Sequence, residues 1–113
     1  MLNWKEISTL DQWKEVLEQS AQGGKVILKH STTCPVSANA RTECEEYLKE
    51  NHVDDINFYL VKVFESRHVS NQIAEDLDVK HESPQIIYVK NKEKFWTASH
   101  WAITKEHITA VLN

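Results

Sequence analysis

At 113 residues the chain is long enough for one compact domain with a modest core, residues 1–113, and too short for two. A hydrophobic content of 41% with four Trp, three Tyr and three Phe excludes a disordered chain, and a net charge of −4, spread without any basic stripe, argues against nucleic acid as a partner. No apolar run reaches membrane-spanning length and the start, Met1-Leu2-Asn3-Trp4-Lys5, lacks a signal-peptide core, so no membrane role and a cytoplasmic location are expected.

In chain order, Thr9-Leu10-Asp11-Gln12 reads as a capping box, opening a helix whose apolar set is Leu10, Trp13, Val16 and Leu17 and which stops by Gly23-Gly24. Val26 to Lys29 reads as a buried strand. A helix follows from about Ala38 to Glu50, with Ala40, Cys44, Tyr47 and Leu48 on one side and Pro35 suited to its first position. Asn57 to Phe64 is a second strand, rich in β-branched and aromatic residues. Val69, Ile73, Ala74 and Leu77 give helical period over Ser66 to Leu77. Gln85 to Val89 and Phe95 to Ala98, joined by the polar turn Asn91-Lys92-Glu93-Lys94, read as a hairpin, and a last helix with Thr104 as N-cap carries Ile108, Val111 and Leu112.

The resulting order, α-β-α-β-α-β-β-α, is that of a thioredoxin-like α/β fold: a four-stranded mixed sheet flanked by helices, its first pair parallel and its last antiparallel. That order brings two separated features, Cys34 and Ser83-Pro84, to one end of the sheet.

Cys34 sits where a strand ends and a helix begins, in Lys29-His30-Ser31-Thr32-Thr33-Cys34-Pro35-Val36-Ser37. There the unpaired N–H groups and positive end of the helix favour thiolate over thiol. Ser37 occupies the place of the second cysteine of a Cys-x-x-Cys pair, which points to a reactive cysteine without an adjacent resolving partner. One turn along, Ser37 is placed to donate a hydrogen bond to the thiolate, or to serve as an ordinary first-turn polar residue. Thr32 and Thr33 are candidate donors or helix caps. Lys29 and His30 are the nearest basic side chains, and alternation along the strand lets only one of them face the site. Cys44, about 15 Å further along the same helix, is too far for a disulfide with Cys34 and reads as a small core residue. The histidines show no paired metal spacing, so no metal is expected.

With Thr-x-Cys-Pro after the first strand and x-Pro before the third, the chain resembles the thioredoxin/glutaredoxin superfamily over nearly its whole length. More narrowly, Lys29 to Ser37 together with Ala98-Ser99-His100-Trp101-Ala102-Ile103-Thr104 resembles the YtxJ-type monothiol bacilliredoxins, bacillithiol-system proteins. The resemblance implies a thiol–disulfide oxidoreductase that removes bacillithiol from mixed disulfides on client proteins, with bacillithiol itself or another redoxin as recycling partner. It makes Cys34 the attacking thiol within the motif Thr33, Pro35, Val36 and Ser37, and makes Pro84 a cis-proline that turns Ser83 to pair with an extended client segment. Bacillithiol carries a malate group, for which Lys29, Ser99, His100 or the first N–H groups of the last helix are candidates. Leu28 stands where thioredoxins place a buried acid. Two other readings stay open: a glutaredoxin-like iron–sulfur cluster carrier, although Pro35-Val36 departs from its usual Cys-Gly-Phe-Ser, and a non-catalytic thioredoxin-like binding module. Mixed surface charge and the lack of a heptad make a monomer the expected state.

Overall fold

The computed structural model describes residues 4–51 and 56–113. The start of the chain at 1–3, and His52, therefore lie outside the described residues. A mixed sheet runs through the molecule in the order β1-β3-β2-β4-β5, where β1 is Lys5–Glu6, β2 Lys25–His30, β3 Asn57–Lys62, β4 Gln85–Lys90 and β5 Glu93–Ser99. Four helices flank it: α1 Leu10–Gln19, α2 Pro35–Glu50, α3 Arg67–Leu77 and α4 Lys105–Leu112, with a 3-10 turn at His100–Ala102. β3 lies parallel to both β1 and β2, whereas β2 with β4 and β4 with β5 are antiparallel.

The sheet has five strands, not the four read from the sequence. The additional strand, β1, is two exposed charged residues that pair Lys5 with Tyr59 and Glu6 with Leu60, and the Ile7 N–H extends the pairing to the Leu60 carbonyl at 2.9 Å. Its pairing comes from the free edge of β3 and not from its own side chains, so no alternation marks it. β5 starts at Glu93, earlier than Phe95, because Asn91 and Lys92 both take left-handed φ (53° and 64°) and close a two-residue hairpin turn. α1 stops at Gln19, ahead of the glycines; its cap residue Ser20 receives the hairpin turn, accepting the Asn91 N–H at its carbonyl and the Lys92 N–H at its hydroxyl. Gly24 is required nearby: a Cβ there would lie 2.5 Å from the Tyr88 ring.

Side-chain alternation on β2 divides the core in two. Ile27 belongs to a cluster with Trp13 and Val16 of α1, Val69, Ile73 and Leu77 of α3, and Val61 and Ile87 of the sheet. Val26 and Leu28 belong to the opposite cluster, with Ala40, Cys44 and Tyr47 of α2, Ile108 of α4 and Ile86. Polar contacts pin each helix pair. Trp13 Nε1 donates to the Asp76 carboxylate at 2.8 Å, Tyr47 OH to Asn113 Oδ1 at 2.7 Å, and the Lys105 N–H to Glu43 Oε1 at 2.9 Å. The capping box of α1 and the Thr104 cap of α4 are both formed. β2 and β3 end, and β4 begins, on the same side of the sheet, which gathers the loops after Lys62 and His30 and before Gln85 into one rim.

Candidate active site

At the exit of β2 the chain turns through Ser31–Cys34, closed by the Cys34 N–H on the Ser31 carbonyl at 3.3 Å. α2 then starts at Pro35, with Cys34 as its N-cap. Pro35 has no N–H to leave unpaired and holds a helical φ, which fixes the start. The cap therefore falls on the cysteine and not on Thr32 or Thr33, both of which are exposed. No oxygen side chain caps this helix, so its first N–H groups are left to the sulfur. The N–H groups of Ser37 and Val36, with a smaller contribution from the Ser37 hydroxyl, hold the Cys34 thiol below the ordinary thiol value against a modest opposing effect of desolvation. Cys34 is partly exposed.

Ser37 is fully buried, and its hydroxyl accepts the Ser31 N–H at 3.2 Å, tying the end of β2 to the first turn of α2. Thr33 joins this turn through its hydroxyl, 3.4 Å from that of Ser31. Cys44 is 0% exposed, and burial, with Glu45 and Glu43 nearby, pushes its thiol up to about 12.

Across the rim, the Ser83–Pro84 peptide is cis and Pro84 is buried. Among the described residues Ser83 makes no backbone–backbone hydrogen bond, and the Pro84 carbonyl accepts the His100 N–H at 2.9 Å. His100 adopts φ 55° and its ring lies 4.0 Å from the Glu82 carboxylate. Glu82 is held below the usual carboxylate range, first by the Ser99 hydroxyl and then by His100 and Lys80. Ser83, Pro84, Ser99 and His100 thus form one connected group. Glu82 joins them unannounced; its only sequence signal is its place just before Ser83-Pro84.

Lys29 does not join them. It lies on the α3 face of the sheet, the face opposite α2, is 0% exposed, and donates to the Ser70 carbonyl at 3.0 Å. His30 takes the α2 face, 6% exposed, with its pKa lowered by burial and by Arg41. In the first turn of α4 the Lys105 and His107 N–H groups are taken, by Glu43 and the Thr104 hydroxyl. No group of three metal-ligating side chains occurs among the described residues, and none of their helices is long and apolar enough to cross a membrane.

The fold is shared widely. A solved structure whose description gives a thioredoxin fold and an oxidoreductase assignment is 36% identical, covers 94% of this chain and 90% of its own, and superimposes with a TM-score of 0.82. Fasciola hepatica thioredoxin, 12% identical, covers 96% of this chain and 95% of its own at TM-score 0.76. Chlamydomonas reinhardtii thioredoxin f2, 18% identical, covers 98% and 94% at 0.72; these two speak to the fold alone. The family model described as monothiol bacilliredoxin BrxC matches residues 5–108. With that match over most of its length, the chain belongs to the monothiol bacilliredoxin family.

Proposed function

We propose that this chain is a cytoplasmic thiol–disulfide oxidoreductase that removes bacillithiol from protein mixed disulfides by a monothiol mechanism. The observation that carries the reading is the arrangement at Cys34: α2's first N–H groups stabilise its thiolate, Ser37 takes the place of a resolving thiol, and the other cysteine is sealed in the core.

The Cys34 thiolate attacks the bacillithiol sulfur of the client mixed disulfide. The S–S bond breaks, its electron pair leaves on the client sulfur as thiolate, and Cys34 now carries bacillithiol in a new disulfide. A second bacillithiol thiolate, or the thiolate of another redoxin, attacks that disulfide and returns Cys34 to thiolate; the two electrons delivered to the client come from this second thiol. A thiol pKa lowered toward ambient pH suits the step, since nucleophilicity falls as the pKa falls further. Ser83, whose backbone makes no backbone–backbone hydrogen bond among the described residues, pairs in this reading with an extended client segment, and His100 with Ser99 receives the malate group. The protein works as a monomer, with bacillithiolated clients, bacillithiol and a recycling redoxin as its partners, and with no metal, membrane or nucleic acid.

Intact-mass spectrometry tests the reading directly. The protein is mixed with a bacillithiol-modified model client beside a glutathione-modified one. Gain of one bacillithiol at Cys34 with loss from the client is expected. A folded protein that takes up neither thiol rejects it, and moves the cluster-carrier and binding-module readings forward.

A further inference from the structure

A lysine in the middle of an apolar sheet face needs a reason. Lys29 lies on the same face as Ile27, Ile87 and Val89, is 0% exposed, and has no carboxylate within ion-pair distance among the described residues. Its Nζ donates to the Ser70 carbonyl in α3 at 3.0 Å and lies 3.3 Å from His81 Nδ1. The Ser70 hydroxyl reaches the same His81 nitrogen at 3.2 Å. An ammonium has no lone pair, so toward Lys29 Nδ1 is the acceptor, which corresponds to a neutral His81 ring carrying its proton on Nε2. Burial, Lys29 and Arg67 lower the His81 pKa in keeping with that, against a smaller opposing effect of Glu82.

His81 is the centre of the segment from Lys80 to Ser83, which leads from the end of α3 into Pro84. That segment is held at a second point from the same direction. Gln85, the cross-strand partner of Lys29, donates from Nε2 to the Lys80 carbonyl at 3.0 Å. Gln85 Oε1 and Ser83 Oγ are buried without a hydrogen-bond partner among the described residues. A well-packed aliphatic residue at position 29 would avoid the desolvation of a buried ammonium, and such replacements are commonly neutral or stabilising. Stability alone therefore gives no account of Lys29.

We propose that Lys29 is a positioning residue for client recognition: through Ser70 and His81 it holds the Lys80–Ser83 segment so that the Ser83 backbone edge is presented beside Cys34. This rests on the exchange reading above and assigns Lys29 no contact with bacillithiol. Exchange with a protein client uses the Ser83 edge, whereas exchange with bacillithiol disulfide uses the Cys34 thiolate and the Ser99–His100 side of the rim without pairing to that edge. The two substrates therefore separate positioning from chemistry.

The test compares the wild type, Lys29→Met and His81→Ala with a bacillithiolated protein and with bacillithiol disulfide. Lys29→Met is expected to fold with a urea midpoint at or above that of the wild type. Its KM for the protein client rises about tenfold, while kcat and the small-disulfide rate stay within about twofold. His81→Ala, a loop change that leaves the sheet face intact, moves the same KM in the same direction and guards against misfolding of the core variant. Amide hydrogen exchange at 80–83 accelerates in both, a readout independent of activity. Unchanged client KM in both variants overturns the proposal, as does a parallel fall in the small-disulfide rate. An inactive wild type overturns the functional reading itself and this inference with it.

Discussion

The buried Ser37 hydroxyl accepts the Ser31 N–H at 3.2 Å, so the residue in the second-thiol position of the motif holds the end of β2 against the start of α2 while also favouring the Cys34 thiolate. One side chain thereby couples the fold of the turn to the reactivity of the sulfur. In Ser37→Ala the Ser31 N–H is left buried without its acceptor, at a cost of about 1–3 kcal/mol. The thiol pKa rises yet stays below the ordinary value, because the Ser37 and Val36 N–H groups, two backbone donors, remain. Thiolate ultraviolet absorbance against pH, with urea unfolding alongside, reads both effects; an unmoved pKa contradicts the role given to the hydroxyl.

The two cysteines are expected to behave oppositely. Cys34→Ser abolishes exchange, whereas Cys44→Ala retains it and loses about 1 kcal/mol of stability from a small core truncation. Alkylation of the folded protein modifies Cys34 alone, since Cys44 is 0% exposed with its thiol pushed up to about 12. A Cys44→Ala variant that accumulates Cys34-bound bacillithiol where the wild type does not would reveal a resolving role for Cys44 that the core position argues against.

Stability against pH carries a signature of Lys29. Burial lowers its pKa from 10.5 to about 8 in the fold, so between those values the unfolded chain holds a proton that the folded protein has released, and rising pH favours the fold. Below that window the cost of the buried ammonium is fully present. Cys44 opposes this: its thiol goes from 9.0 to about 12 on folding, so stability is lost as pH rises above 9. Lys29→Met removes the first dependence and keeps the second. The stability margin of Lys29→Met over the wild type is thus largest at neutral pH and shrinks as pH climbs through the window. Urea curves at about pH 7 and about pH 9.5 measure it, and a margin independent of pH rules the cause out.

His100 bears on thiol selectivity. His100→Ala removes the ring beside Glu82 and leaves the backbone N–H on the Pro84 carbonyl intact. If the malate group of bacillithiol is received here, the preference for bacillithiol over glutathione mixed disulfides shrinks about threefold to fivefold, the scale of one exposed polar contact. Competition between the two modified clients gives the ratio, and an unchanged ratio moves the recognition site elsewhere.

How far the sequence could be read follows from where each signal resides. The helices α1, α3 and α4 and the strands β2 to β5 announce themselves through apolar period and caps, because burying one face against the sheet forces that spacing. β1 has no such signal, its two exposed residues being recruited by the open edge of β3. The ends of α1 and β5 shifted for a related reason: Ser20 meets the Asn91–Lys92 turn, a contact across 71 residues that no local pattern encodes.

At the site, the local chain determined the thiol environment. Pro35 fixes the helix start, the start makes Cys34 the cap, and Ser37 follows one turn later; all of this lies within a single stretch of sequence. The partners of Lys29 were decided only in three dimensions. Alternation told that Lys29 and His30 must point to opposite faces, yet which face α2 covers depends on the hand of the crossover and on the packing of α3 against the other side. That packing put Lys29 beneath Ser70 and His81 on the α3 face, since a strand fixes the parity of its side chains while the layers above and below decide what each parity meets.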